Sequence, residues 1–408
     1  MDEGIWRASR STIECVKFLR EHRGGSVTRY LKILSGLVLF VILALNVSSI
    51  SRWTETRGVN DDFCYLRQAH LFQKFGLGGL DTNITQDDEQ YLSGKMKGTN
   101  LLGWKDPMTP PCHVQMPGTH KLVIQYPPGT GFILSLFPSG YQVIPLFVLA
   151  NVVIFGVGLL AITYANTSLS ILLTAVFADV AVYLMINPTK ASYSMAPTMV
   201  VCALAGLLTP RLFGKTLWQD RVLPTLLVGF LIGLAVNFRL ANLFLSAGYF
   251  LFFLVAFLRS RKLETMLDGA LFGGAFLAGI VPTLLANAIN AGSPFSTTYG
   301  EGDVAPPGFN VGVIWNYVTD LQFILLVLAG TWTVLLLRRL QSDAIRQVGL
   351  VTAGNLLVNV VFFFSHPVFT PYYVVPIATL SLWSLLFASL RSSAEDVDDK
   401  LVAQAARA

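Results

Sequence analysis

Charge is scarce in this chain. Asp, Glu, Lys and Arg make up 13% of the 408 residues, against 53% hydrophobic residues. With a mean hydropathy of +0.58, that balance excludes a soluble globular protein of this length. No heme-attachment, zinc-finger, HExxH, Walker or dinucleotide-binding spacing occurs, so no metal and no cofactor is expected. No basic patch interleaved with aromatics stands out. The net charge of +5 is therefore read as bias toward the inner leaflet, and no nucleic-acid partner is expected. No internal repeat is evident, which weighs against a secondary transporter.

What the chain has in quantity is long apolar runs. A bilayer core of about 30 Å needs about 20 mostly apolar helical residues per span. Ten windows qualify, near 33–50, 141–163, 168–186, 192–209, 222–237, 240–258, 266–288, 321–337, 347–364 and 373–390. The expected fold is an all-α polytopic membrane protein of about ten transmembrane helices in a bilayer, with a large, partly helical first external loop. Residues 1–30 read as a charged cytoplasmic arm, 31–390 as the transmembrane domain, and 391–408 as a polar cytoplasmic tail. Arg7, Arg10, Lys17, Arg20, Arg23, Arg29 and Lys32 precede the first window, which puts the N-terminus inside. Its long apolar run without a small-residue cleavage site reads as a retained anchor. Ten spans then keep the basic loops around Arg211, Arg259 and Arg338 inside, and leave 51–140 and 289–320 outside.

The first external block is where titratable groups gather. Phe63, Leu66, Ala69, Phe72 and Phe75 recur every third residue, with Arg67, Gln68, Gln73 and Lys74 elsewhere around the turn. That pattern predicts an amphipathic helix over 62–76 lying at the membrane surface. The middle, with Pro107, Pro110, Pro111 and Pro117, reads as loop with one short helix at most. The block closes on LVIQYPPGTGFILSLF (122–137). Counting 128–137 as a span would push the basic loops to the wrong side, so a short non-spanning helix is expected. Cys64 and Cys112 are the two cysteines expected outside. A disulfide between them and a pair of free thiols are both open.

Several residues carry two readings. Asp61 and Asp62 suit a helix N-cap or a catalytic base. Arg239, flanked by Asn237 and Asn242, is a snorkelling arginine or an anion contact. Lys121 is a solvated loop lysine or a second anion contact. Tyr126, Pro127, Pro128, Gly129 and Gly131 fix a turn, or line a pocket where glycine lets a ligand approach the backbone. Tyr299, Trp315, Tyr372 and Tyr373 belong to an interfacial belt or stack on a sugar. Asp179, near the middle of a predicted span, is a functional group or a protonated, hydrogen-bonded one.

An acid soon after the first span, an amphipathic helix and a YPPG run resemble the integral-membrane GT-C glycosyltransferases. The bacterial relatives of protein mannosyltransferases and of the lipid A aminoarabinose transferase are the nearest in pattern. Three later segments are also similar: GLAVNFRLANLFL (233–245), NAINAGSPFSTTYG (287–300) and PYYVVPIATL (371–380). In the last, Pro371 stands where the family has Arg before the Tyr. The resemblance implies transfer of a sugar from a polyprenyl-phosphate donor to a hydroxyl of a glycan, lipid or protein acceptor. It implies a site on the external face of a bacterial cytoplasmic membrane. Asp62, favoured over Asp61, would be the base. Arg239 and Lys121 would hold the donor phosphate. Tyr126, Pro127, Pro128, Gly129, Asn242, Tyr299, Tyr372 and Tyr373 would line the pocket. A transporter or flippase, which Asp179 favours, and a catalytically degenerate partner subunit are the alternatives.

Overall fold

A computed structural model describes residues 3–54, 60–86, 91, 112–184, 192–213, 217–299, 307–338, 342–366 and 368–405, with side chains described from Val27 to Arg391. Much of the polar middle of the first external block, and 300–306 of the second, lie outside the described residues. The chain is an antiparallel succession of helices: α1 Glu3–Ile50, α4 Val143–Tyr164, α5 Ser168–Tyr183, α6 Met195–Leu208, α7 Trp218–Val236, α8 Ala247–Ser260, α9 Leu263–Ala291, α11 Phe323–Arg338, α12 Asp343–Ser365 and α13 Val374–Ala405. Shorter helices α2 Asn60–Phe75, α3 Gly129–Ser135 and α10 Val311–Thr319 cap one end.

Among the described residues, eight helices are long and apolar enough to cross a membrane, and a ninth span results if α10 and α11 count as one piece. The other two of the ten expected windows differ in kind. Helix α5 covers 168–183 only; at 1.5 Å per residue its 16 residues rise about 24 Å, short of a bilayer core. Helix α11 is also 16 residues long, and α10 meets it at a bend of 82°.

Helix α13 is the most enclosed, with 89% of its span window buried, and it packs against α6, α12 and α11. Helix α9 lies along α7. A Cβ on Gly233 would come 2.2 Å from the carbonyl oxygen of Phe276, and one on Gly279 would come 2.5 Å from that of Phe230. Small residues thus bring the two backbones together, the packing device of helices in lipid. A polar side chain links helices inside the bundle: Asn46 Nδ2 donates to Asn151 Oδ1 (3.0 Å) and to the Val182 carbonyl (2.9 Å), joining α1, α4 and α5. Asp179 lies one turn from the end of α5, half-buried.

The first external block departs from expectation in two ways. Helix α2 forms where the apolar spacing predicts it, but it does not lie on a surface. Asp62, Arg67 and Gln68 are 0–1% exposed. Loops folded over α2 supply carbonyls for the two donors: Arg67 donates to Thr82 and Asn83 (both 3.2 Å), Gln68 to Tyr126 (3.0 Å). A two-stranded antiparallel hairpin, β1 His113–Gln115 with β2 Leu122–Ile124, stands where only loop is expected. Its register pairs Val114 with Val123. Helix α3, seven residues long, is far too short to span and packs on α2.

Candidate functional site

Six separate segments deliver side chains to one end of the bundle. Asp61 occupies the first turn of α2, where the helix N-terminus favours a carboxylate. Tyr126 precedes the buried pair Pro127 and Pro128, which leads into α3. Arg239 follows α7 in extended conformation (φ −158°, ψ 129°), before a 3-10 turn over Leu240–Ser246. That break in the helix frees its side chain to turn across the bundle end. Tyr372 and Tyr373 form a 3-10 turn ahead of α13, Tyr299 follows α9, and Met195 begins α6.

At the centre, Arg239 Nη2 lies 3.9 Å from Asp61 Oδ2. The guanidinium sits over the rings of Tyr372 (4.1 Å to the centroid) and Tyr373 (4.9 Å), and Nη1 is 3.9 Å from Met195 Sδ. Arg239 is only 7% exposed. Its planar faces are covered, and stacked aromatics are a favourable setting for a buried cation. Asp61 is held by hydroxyls: Tyr126 donates to Oδ1 at 2.8 Å and Tyr372 to Oδ2 at 3.5 Å. Gln125 Nε2 donates in turn to the Tyr126 hydroxyl (3.0 Å). Tyr65 packs against Tyr126 at 5.2 Å between centroids, and Tyr126 against Tyr299 at 6.0 Å.

This tyrosine shell is largely enclosed by protein. Burial pushes the hydroxyls of Tyr65, Tyr126 and Tyr299 well above the ordinary tyrosine range, and the Asp61 carboxylate adds to the rise in all three. Burial raises Tyr372 as well, with the Arg239 charge opposing it. These hydroxyls therefore stay protonated, as donors, at neutral pH.

Of the residues expected from the sequence, Asp61, Tyr126, Arg239, Tyr299, Tyr372 and Tyr373 converge. The two aspartates part company: Asp62 turns inward, where Oδ1 accepts from the backbone N–H of Tyr193 (2.9 Å). Asp61, not the favoured Asp62, faces Arg239. Adjacent helical residues point about 100° apart, so only one of them can face any given partner. Lys121 pairs with Asp81 (2.9 Å) and donates to the Ile289 carbonyl (3.0 Å). Asn242 donates to Thr198 Oγ1 (3.0 Å) and the Ala235 carbonyl (2.8 Å), closing off the end of α7.

The space beside Gly129 and Gly131 is already filled. A Cβ on Gly129 would be 2.7 Å from Asn237 Cβ, and one on Gly131 would be 2.3 Å from Gln68 Cβ. The Gly129 N–H donates to the Asn237 carbonyl (2.8 Å). These glycines lock α3 against α2 and α7, instead of giving a ligand access to the backbone. Tyr65 and Met195 are site residues that the sequence reading misses. The i, i+4 spacing of Tyr65 from Asp61 on a predicted helix is the signal that could have found the first.

Cys64 and Cys112 form a disulfide, with Cα atoms 6.5 Å apart. The ligand atoms of Cys64, Cys112 and His113 fall within 4.8 Å of one another, but the two sulfurs are bonded to each other and His113 Nε2 meets Arg67 Nη1. Comparison of the chain with protein-family models, with curated proteins and with solved structures finds no match.

Proposed function

We propose that the protein transfers a sugar from a polyprenyl-phosphate donor to an acceptor hydroxyl at the external face of the membrane, with Asp61 as base and Arg239 on the donor phosphate. The observation that carries this reading is the meeting of Asp61 and Arg239 at 3.9 Å inside a shell of tyrosines. In the reaction the Asp61 carboxylate takes the proton of the acceptor hydroxyl. That oxygen bonds to the anomeric carbon as its bond to phosphate breaks, and the bonding pair leaves with polyprenyl phosphate. The guanidinium, fixed by Tyr372 and Tyr373, meets the negative charge that develops on the leaving group.

A contact of 3.9 Å is a loose pair. An arriving phosphate can take two N–H groups of the Arg239 fork, which releases Asp61 for the acceptor. A lipid-linked donor also accounts for a charged site at the end of a bundle embedded in lipid. Arg211, Arg221, Arg259, Arg338 and Arg346 lie toward the other end of the spans. By the positive-inside rule this arrangement supports an external Asp61–Arg239 end, the side where nucleotide sugars are absent.

The purified protein, given synthetic polyprenyl-phosphate hexoses and pentoses, tests the reading by release of free polyprenyl phosphate. At least one donor is turned over, and Asp61→Asn or Arg239→Ala lowers the rate about 100-fold or more. No release from any donor, or wild-type rates in both variants, overturns it.

A further inference from the structure

The far end of α7 from Arg239 borders a cavity of about 830 Å³. Helix α7 has 19 residues and so rises roughly 28 Å. One phosphate cannot reach both places. Among the described residues, two guanidinium groups, Arg211 and Arg391, and one carboxylate, Asp220, line the cavity. Arg211 sits in the 3-10 turn Thr209–Leu212 that ends one candidate span, and Arg391 follows the apolar run of α13. Both cations thus come directly after an apolar helical run.

Below them the wall is apolar. Leu207 and Phe387 also line the cavity. Phe387 stands four residues before Arg391, one turn back on the same face of α13, and Leu207 lies in the last turn of α6, next to the 3-10 turn that carries Arg211. Leu223, 62% exposed, completes that wall from α7. A cationic mouth beside an apolar wall, just past the apolar runs of α6 and α13, matches the order of a phospholipid: phosphate at one end, acyl chain at the other. Its volume lies in the range of small-ligand sites.

We infer that this cavity holds one anionic glycerophospholipid of the leaflet opposite the Asp61–Arg239 site, with its phosphate between Arg211 and Arg391 and an acyl chain against Leu207, Leu223 and Phe387. Free phosphate would use the mouth alone. The lipid uses both parts, and the acyl chain follows the faces of α6 and α13.

Native mass spectrometry of the full chain in detergent, titrated with phosphatidylglycerol, phosphatidylcholine or glycerol 3-phosphate, tests the inference. Phosphatidylglycerol forms one adduct that survives activation stripping phosphatidylcholine. Arg211→Gln/Arg391→Gln lowers that adduct about tenfold or more, while the charge-matched Arg259→Gln/Arg261→Gln does not. Leu223→Asn changes an exposed side chain, keeps both arginines, and also weakens the adduct. The inference is overturned if the two lipids bind alike, if the control pair loses as much as the cavity pair, if Leu223→Asn changes nothing, or if glycerol 3-phosphate binds as tightly as the lipid.

Discussion

Arg239 lies over the ring of Tyr372, and the hydroxyl of that same tyrosine donates to Asp61. One side chain thus orients both members of the ion pair. The cation is gripped through its face and the anion through a hydrogen bond, so neither depends on the other to stay in place. A site that must open to admit a phosphate needs such separate anchoring.

Arg239→Lys keeps the charge but loses the planar fork and the stacking on Tyr372 and Tyr373. Turnover of a polyprenyl-phosphate sugar should fall roughly tenfold, less than for Arg239→Ala, with most of the loss in kcat. Steady-state rates for the two variants check the ranking. Equal activity of Arg239→Lys and wild type would show that a point charge suffices.

Tyr126→Phe removes the 2.8 Å hydrogen bond to Asp61 but keeps the ring packing against Tyr65 and Tyr299. The expected result is about tenfold slower transfer. A protein that elutes and melts like wild type separates this positioning effect from misfolding.

The elevated tyrosines tie stability to alkaline pH. Tyr65, Tyr126, Tyr299 and Tyr372 stay neutral in the folded protein beyond their ordinary range, whereas an unfolded tyrosine ionises near pH 10. Their contribution is whole below that pH and is lost as pH rises above it, because only the unfolded state gains by releasing protons. The melting temperature followed by circular dichroism should be level from about pH 7 to 9 and fall above about 10. Tyrosinate absorbance from these four should appear only as the protein unfolds.

The Cys64–Cys112 bond closes a loop of 48 residues, for which chain entropy gives about 4 kcal/mol of stabilisation. Reductant should lower the melting temperature and raise the mass by about 2 Da, the two hydrogens gained as the bond is reduced. Cys64→Ser should melt low with or without reductant. A melting curve indifferent to reductant would mean that the two sulfurs are not bonded in solution.

Gly131→Ala places a methyl group 2.3 Å from Gln68 Cβ, and Gly129→Ala one at 2.7 Å from Asn237 Cβ. Each should destabilise by about 1–3 kcal/mol. Gly156→Ala and Gly274→Ala, where nothing lies within 4 Å, should melt at or above the wild-type temperature. Thermal unfolding of the four variants compares them directly.

Much of the fold is legible in the sequence because burial in lipid demands an unbroken apolar run, and such runs are visible without any tertiary information. The surroundings of α2 are not. The polarity of Arg67 and Gln68 reads as solvent exposure until the carbonyls of Thr82 and Tyr126 are known to reach them from 15 and 58 residues away. Arg239 and the paired tyrosines can be singled out by residue type and order, and they do come together. Which of Asp61 and Asp62 joins them depends on helix rotation, which a pair of identical neighbours cannot reveal. Lys121 looks available in sequence and is occupied by Asp81 in the fold, a pairing across 40 residues.

The enclosure of α13 has a bearing on how the protein is made. Seven of the eight candidate spans precede the most buried one in the chain. During synthesis they must insert and wait, with the groove that α13 will fill lined by lipid or by a temporary companion. Ribosome-bound intermediates stalled ahead of Val374 should therefore crosslink to insertion factors along α6 and α12, and lose those crosslinks once α13 is released. Helix α13 would then be the keystone of biogenesis as well as the most enclosed helix among the described residues.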